Sequence, residues 1–218
     1  MFSKIARMIT VAVKEGGGDP NANSKLRMAV EKGRSINMPA DNIERAIKKG
    51  SGDIEGAKYE EVVFEAYGPG NIAVIIEGVT DNKNRTLSEI KQILERGGGK
   101  MVAEGAVRWL FDRKGIIALP LPSDLSKKDD MEMAVIEAGA DDISWRDDGL
   151  IVYTAVDSLE AVKKKIEGQG LKIESSSWEL VAKEYVAVSP KEKEAAEKLF
   201  ELLDDNDAVQ EVYSNLAD

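Results

Sequence analysis

The sequence predicts an α+β protein of three domains: an N-terminal helical bundle followed by two ferredoxin-like α+β domains, one inserted in the other. Three observations carry this prediction. Residues 1–56 have helical periodicity and few strand signals, Val- and Ile-rich segments separated by turns begin at about residue 57, and residues 114–182 have a strand–helix order of their own. The predicted domains are therefore residues 1–56, residues 57–113 with 183–218, and residues 114–182.

Three short helices are predicted in residues 1–56. The first has apolar residues at helical spacing and ends at a run of three glycines, and the second follows an Asp-Pro pair. The third begins near Pro39, which suits a first helical turn, and ends at Gly50. Because three short helices have little core of their own, we expect this domain to pack against another domain or a partner.

Residues 57–113 begin with the segments YEEVVFEAYG and NIAVIIEGVT, whose Gly-Pro-Gly connection predicts an antiparallel hairpin. A helix is predicted across Arg85–Arg96, and a second run of three glycines ends it. The predicted buried face of this helix consists of Leu87, Ile90, Ile93 and Leu94. The following segment AVRWLF predicts another strand, so this part of the chain reads as ββαβ.

The predicted inserted domain, residues 114–182, has the order βαββαβ of a split βαβ fold. Its clearest turn signal is Asp147-Asp148-Gly149, which lies between two alternating apolar segments. The last 36 or so residues predict a strand at EYVAV, a helix capped by Ser189, and a final strand at AVQEVYSNL. That segment is too short to fold alone, so we expect it to complete the domain begun at residue 57.

Composition excludes several classes of function. The chain has no cysteine and no histidine, so disulfides, thiolate or imidazole metal sites and Ser-His-Asp triads are excluded. The paired aspartates of the sequence lie in predicted loops or at helix ends, where solvated surface is the better interpretation than a metal site. We therefore predict a non-enzymatic protein with no cofactor and no small-molecule substrate. With no apolar segment of membrane-spanning length and no secretory signal, we expect a cytoplasmic protein away from the membrane.

Charge is distributed unevenly along the chain. The formal net charge is −10, yet residues 1–56 carry ten Lys and Arg against seven Asp and Glu. The remainder therefore carries twenty basic and thirty-three acidic residues, which suggests different partners for the two parts. The candidate nucleic-acid-binding residues of the helical domain are Lys4, Arg7, Lys14, Lys25, Arg27, Lys32, Arg34, Arg45, Lys48 and Lys49.

Two stripes within this set favour contact with a phosphate backbone. Lys25 and Lys32 are seven residues apart, as are Arg27 and Arg34, so each pair projects from nearly the same side of its helix. The ordinary solvated face of an amphipathic helix explains such stripes equally well. No helix-turn-helix, aromatic RNA-binding motif or zinc finger is recognisable, so base-specific reading of a major groove is not indicated.

A further candidate contact is the segment DNKNRT, residues 81–86, at a strand-to-helix junction. Lys83 and Arg85 near a helix N-terminus suit an anion, whereas simple capping by Asp81, Asn82 or Asn84 is the alternative and the stronger interpretation. The two glycine runs follow predicted helices rather than strands. They therefore predict helix termini and not a phosphate-binding loop.

Taken together, several segments resemble the YebC/PmpR family. They are ITVAVKEGGGDPNANSKLRMAVEKGRSINMPADNIERAIKKGSG, YEEVVFEAYGPG, TDNKNRT and GAVRWLFDRKG, which occur in family order over essentially the whole chain. The resemblance implies three domains, with one α+β domain interrupted by the other. It also implies nucleic acid as partner: bacterial members are described as probable transcriptional regulators that bind DNA.

The same resemblance implies an alternative. Other members are similar to translation factors that act on the ribosome and relieve stalling at proline-rich stretches, and mitochondrial members are translational activators of cytochrome oxidase. In that case ribosomal RNA and the ribosome are the partners. A third hypothesis, from the net charge of −10, is a protein-binding adaptor.

Two departures from the family pattern affect these expectations. Family members usually begin with a basic segment of the form GHSKWxxIKxRK, whereas this chain opens at MFSK, so we expect a smaller basic surface. The family turn GPGG is GPGN here, with Asn71 in last place. Because asparagine tolerates positive φ, we expect the turn to be retained.

Overall fold

The computed structural model describes residues 1–122, 124 and 127–217, which form two compact units. Unit 1 comprises Met1–Phe111 and Ala182–Asp218, and unit 2 comprises Asp112–Val181. The helices are α1 (Phe2–Gly16), α2 (Ser24–Ser35), α3 (Ala40–Ser51), α4 (Lys83–Arg96), α5 (Lys128–Ala138), α6 (Leu159–Gly168) and α7 (Pro190–Asp204). The strands are β1 (Glu60–Tyr67), β2 (Ala73–Thr80), β3 (Lys100–Val102), β4 (Phe111–Pro120), β5 (Asp142–Trp145), β6 (Gly149–Thr154), β7 (Ser175–Ala182) and β8 (Val209–Ser214).

The three N-terminal helices of unit 1 form where periodicity predicts them and share one apolar core, which includes Ile9 and Leu26. Asn23 joins two of them: its Oδ1 accepts from the Leu26 amide at 3.0 Å, capping α2, and its Nδ2 donates to the Ala12 carbonyl at 2.7 Å. Helices α1 and α3 pack closely at Gly50, where a Cβ would lie 2.6 Å from the Thr10 carbonyl oxygen. This glycine is therefore required by packing.

The sheet of unit 1 has the order β3-β1-β2-β8 and is antiparallel. One face, with Val74 and Ile76, shares a core with α4 and α7. The alternate residues Ile75 and Val79 are also buried, and α1 packs against β2. Since neighbouring strand residues point to opposite faces, the helical part of unit 1 covers part of the second face. This agrees with the expectation that three small helices pack against another part of the chain.

The β1–β2 connection retains the predicted turn. Gly70 has φ of 72° and Asn71 has φ of 59°, so asparagine occupies the left-handed region in place of the family glycine. The Gly68 amide donates to the Ile72 carbonyl at 2.8 Å and closes the turn.

Unit 2 contains β4, α5, β5, β6, α6 and β7 in chain order, and its sheet has the order β5-β6-β4-β7. The first and third strands of the unit, β4 and β6, lie next to each other at the centre of the sheet, which is the arrangement of a ferredoxin-like fold. Its apolar face includes Ile117, Leu150 and Val152, all fully buried. The predicted α+β class and the predicted βαββαβ order are therefore confirmed.

Three sequence predictions within unit 1 are wrong. AVRWLF is not a strand up to Leu110: Arg108–Leu110 form a 3-10 turn, and β3 lies earlier, at Lys100–Val102. EYVAV forms only an isolated parallel bridge, between Val186 and Leu216. Leu87 is 42% exposed, because Thr86 takes the buried position beside Thr80, with their hydroxyls 2.8 Å apart. Within the described residues, no helix combines the length and apolar character needed to cross a membrane.

Candidate nucleic-acid interface

Two cations of α1 are held by aspartates at the C-terminal end of α7 and just after it. Lys4 Nζ lies 2.8 Å from Asp204 Oδ1 and also donates to the Asp204 carbonyl. Arg7 Nη1 donates to the Asp207 carbonyl at 2.7 Å, and its other terminal nitrogen lies 3.7 Å from the Asp207 carboxylate. Both aspartates are largely exposed, so each pair contributes only a few tenths to about 1 kcal/mol to stability.

The predicted lysine stripe of α2 faces the sheet of unit 1. Lys25 Nζ lies 2.6 Å from both Glu15 and Glu61, and Lys32 pairs with Glu211 of β8. Half-burial lowers the pKa of Lys25, but its hydrogen bonds to the two carboxylates outweigh burial and raise the pKa above its ordinary value. The two lysines lie on one side of α2, as predicted, but the anions they meet are carboxylates of this protein.

We call these four contacts the acidic seam: Lys4–Asp204, Arg7–Asp207, Lys25–Glu61 and Lys32–Glu211. The seam joins the helical part of unit 1 to its α+β part. A phosphate group that binds these cations has to displace a carboxylate first.

Other predicted cations have local partners. Lys14 donates to the Tyr59 carbonyl at 3.4 Å, and Arg27 donates to the Pro20 carbonyl at 3.2 Å. At the DNKNRT segment the capping interpretation is confirmed, because Asn82 Oδ1 accepts from the Arg85 amide at 3.1 Å. The two basic side chains there form ion pairs: Lys83 with Glu60, and Arg85 with Asp81 and Glu89. Both side chains therefore have carboxylate partners within the folded protein.

Two of the remaining cations, Arg45 and Lys49, meet Arg7 of the acidic seam at one cavity. A cavity of about 400 Å³ lies between α1 and α3 and is lined by Arg7, Arg45, Lys49, Tyr59 and Asp207 among others. Arg45 and Lys49 are four residues apart on α3, which places them on the same side of the helix. Each of the three cations was a separate candidate in the sequence, and the fold brings them together at this cavity.

Tyr59 orders two of these cations without neutralising them. The Arg7 guanidinium lies 5.5 Å and the Lys49 ammonium 4.8 Å from the centre of its ring. A cation–π contact is worth about 0.5–1 kcal/mol at an exposed site and leaves the positive charge able to attract an anion. With Asp207 as the acid in the lining, the cavity carries a formal charge of +2 from its ionised side chains.

Arg34 and Lys48 are exposed and lie outside the cavity lining. Within the described residues they and Arg45 form no ion pair. Lys48 is therefore a natural comparison for its neighbour Lys49, since both carry one positive charge on the last turn of α3 and only Lys49 lines the cavity.

Sequence reasoning did not identify Glu65, a residue of β1 that is 4% exposed. It accepts from the amides of Gly105, Val107 and Arg108 at 2.6, 2.7 and 3.0 Å. Burial raises the pKa of Glu65, but these amides and the Arg108 charge outweigh it and lower the pKa below its ordinary value. We call residues 103–110, which this carboxylate holds, the clamped loop. Because their amides bond to Glu65, the loop cannot pair as the strand predicted at AVRWLF.

The described part of the chain contains no cluster of acidic residues suited to a metal ion. The cavity brings together three cations, one aspartate and the Tyr59 ring, a chemistry suited to binding anions.

Comparison with known proteins identifies the family. A family model described as the TACO1/YebC protein N-terminal domain matches residues 1–53, and one described as the TACO1/YebC second and third domain matches residues 59–216. The chain belongs to the TACO1/YebC family. The resemblance deduced from the motifs is thus confirmed over nearly the whole chain.

TACO1/YebC relatives with similar sequences carry a common description. A protein of Pseudothermotoga lettingae, 46% identical over 99% of this chain and 84% of its own length, is named "Probable transcriptional regulatory protein". One of Halothermothrix orenii, 44% identical over 99% of this chain and 85% of its own length, has the same name. These names support a regulatory role for the family.

A solved structure confirms the fold. The crystal structure of a conserved hypothetical protein, Aq1575 from Aquifex aeolicus, matches with a TM-score of 0.91 and 38% identity. The match covers 99% of this chain and 88% of the Aquifex protein.

Proposed function

We propose that this protein is a transcriptional regulator that binds DNA without catalysing a reaction, and that its helical part contacts the phosphate backbone. The observation that carries the proposal is the cavity where Arg7, Arg45 and Lys49 meet around Tyr59. Three cations within one cavity match the negative charge of neighbouring phosphates, and the names of the relatives favour DNA as the source of those phosphates.

The cavity explains why the acidic total charge does not oppose this function. Most other candidate cations are held by carboxylates or backbone oxygens, so the phosphate contacts we propose concentrate at one place rather than along the two helical stripes. No base-reading element accompanies the cavity in the sequence, so its contacts position a duplex and do not specify a sequence.

Duplex DNA binding measured over a range of salt concentrations tests the proposal. Neutralising the two α3 cations, as Arg45→Gln with Lys49→Gln, is expected to weaken binding and to lower the slope of log K against log salt by about two, since each phosphate contact contributes about 0.9. The matched control is Lys48→Gln, which removes one charge from the same helix outside the cavity and is expected to change the slope by less than half as much.

If the Lys48→Gln control changes the slope by half as much as the cavity variant or more, in proportion to one charge removed against two, only net charge matters and the assignment to the cavity is overturned. The same titration against ribosomes tests the alternative of a ribosome-associated translation factor. Tight ribosome binding that depends on Arg45 and Lys49, with duplex binding only at low salt, would replace DNA by ribosomal RNA as the partner. If neither partner binds, the adaptor hypothesis takes the place of both.

A further inference from the structure

A second surface of unit 1 carries exposed aromatic side chains beside the clamped loop. Trp109 is 65% exposed, although its indole Nε1 donates to the Ala106 carbonyl at 3.0 Å. The ring is therefore oriented from within the loop while most of its surface remains in water. An exposed indole on a fixed loop loses little conformational entropy when another ring stacks on it.

The clamp that holds this loop comes from the sheet. Glu65 binds three amides of residues 105–108 through a buried carboxylate, so the backbone next to Trp109 is fixed on both sides of Val107. Hydrogen bonds to a charged acceptor are about twice as strong as neutral ones. The loop is therefore a rigid support for the indole rather than a flexible connection.

Tyr67 lies on the same face of the sheet as Glu65, since the two are separated by one residue in β1. Its side chain is 37% exposed. Lys100 is its partner in the β1–β3 register, so the lysine projects from this face too, and it is exposed. Arg108 supplies a second cation next to Trp109 in the chain. Two aromatic rings and two cations thus accompany one clamped loop.

We propose that Tyr67, Trp109, Lys100 and Arg108 form a site for single-stranded nucleic acid, with bases stacking on the two rings and the cations meeting the phosphates. Unpaired bases expose π-faces that a duplex hides, and proteins bind such strands by combining aromatic platforms with cations. The chemistry favours a strand over an apolar protein partner, because each ring on this surface is accompanied by a cation. The clamped loop has one acid, Glu104, which is exposed and opposes a polyanion.

This site is separate from the cavity of Arg45 and Lys49, and it rests on the proposed function only in having nucleic acid as its ligand. The experiment uses the full chain and fluorescein-labelled twelve-nucleotide oligomers of uridine and of thymidine, with polarisation as the readout. Trp109→Ala is expected to weaken binding of both by about fivefold to a hundredfold, as for the loss of one stacked base. Trp109→Phe, which retains a ring, is expected to recover most of that loss.

Three further variants make the outcome specific. Leu202→Ala removes an exposed apolar side chain from α7, which packs on the face of the sheet opposite Glu65, and is expected to leave oligomer binding within twofold of the unmodified protein. Glu104→Gln is expected to tighten binding, because it removes the acid beside the site. Arg45→Gln with Lys49→Gln is expected to reduce duplex binding far more than oligomer binding.

Trp109→Ala binding both oligomers as tightly as the unmodified protein would overturn the proposal, and so would weaker binding by Glu104→Gln. A loss confined to the uridine oligomer identifies RNA as the source of the strand, and a loss confined to the thymidine oligomer identifies DNA. The proposed function fails independently, if duplex binding is insensitive to Arg45 and Lys49 while oligomer binding still depends on Trp109.

Discussion

Replacing Glu65 by glutamine isolates the contribution of the carboxylate clamp, because the substitution retains size and removes charge. Glu65 Oε2 accepts from two amides and Oε1 from one, at distances of 2.6–3.0 Å. Glutamine can place its single carbonyl oxygen at the Oε2 position and keep two bonds. Its NH₂ group then faces the Gly105 amide, donor against donor, so one buried hydrogen bond is lost.

The magnitude follows from these contacts. Losing one bond to a charged acceptor costs about 1.5–3 kcal/mol, and the two retained bonds weaken as the acceptor becomes neutral. We expect Glu65→Gln to lower the free energy of unfolding of unit 1 by about 2–3 kcal/mol at pH 7. Glu65→Ala leaves all three amides without this acceptor and is expected to cost about 4–5 kcal/mol, at the upper end of single substitutions.

The pH dependence supplies an independent check. The pKa of Glu65 in the folded protein is below its ordinary value, so its stabilisation is complete above the unfolded-state pKa of about 4.3. That stabilisation is lost as the pH falls through the folded-state pKa. The difference in stability between the unmodified protein and Glu65→Gln should therefore be constant near neutrality and shrink below about pH 4.

Urea unfolding followed by tryptophan fluorescence and by circular dichroism measures both effects. Exposed Glu197 on α7 provides the control, since Glu197→Gln is expected to change the free energy of unfolding by less than about 0.5 kcal/mol. A Glu65→Gln protein as stable as the control variant, or a stability difference that does not fall in acid, would show that the clamp does not stabilise the loop.

Three other substitutions test packing, charge and capping. Gly50→Ala places a Cβ 2.6 Å from both the Thr10 carbonyl oxygen and Val13 Cβ, so we expect the free energy of unfolding, measured by thermal unfolding, to fall by about 1–3 kcal/mol. Gly168→Ala, whose Cβ meets nothing within 4 Å, is the control and should be neutral or slightly stabilising. Asp207→Asn removes the acid from the cavity and is expected to tighten duplex binding about twofold to fivefold. Asp205→Asn, which removes a neighbouring acid outside the cavity lining, is the control. Equal effects of the two substitutions would show that the gain in affinity comes from net charge alone. Ser189→Ala removes the hydroxyl that caps α7 by accepting from the Glu192 amide at 3.4 Å, and should lower the free energy of unfolding by about 1 kcal/mol in calorimetry. An unchanged value would show that solvent replaces the cap.

The sequence predicts elements well where a local signal determines them. Glycine runs end α1 and α4, Pro39 precedes α3, and the Gly-Pro-Gly and Asp-Gly turns join antiparallel strands. AVRWLF was misread because its alternation resembles a strand, while its amides are taken by Glu65, 40 or more residues earlier in the chain. A carboxylate that lies so far away in the sequence leaves no signal in the segment it binds. The one sequence signal for Glu65 is its own position, as an acid within the apolar run VVFEAY.

The candidate site was predicted only as a set of cations. Neither periodicity nor charge reveals that Lys25 and Lys32 meet carboxylates of β1 and β8, because that depends on how α2 packs against the sheet. Tyr59 was not considered, since a single tyrosine before a strand has no spacing pattern. The three-domain division stays a prediction. The binding roles of the cations stay predictions too, and the proposed binding experiments address them.

The charge asymmetry of the chain has a different meaning in the folded protein from the one the sequence suggested. An excess of +3 in residues 1–56 and −13 elsewhere suggests two partners, yet much of this charge is paired across the acidic seam. Pairing of this kind weakens with salt, whereas the Tyr59 ring holds Lys49 without consuming its charge. A polyanion therefore meets the least resistance at the cavity, where one aspartate rather than a row of carboxylates competes with it. For this protein the positions of the carboxylates, more than the number of lysines and arginines, determine where nucleic acid is able to bind.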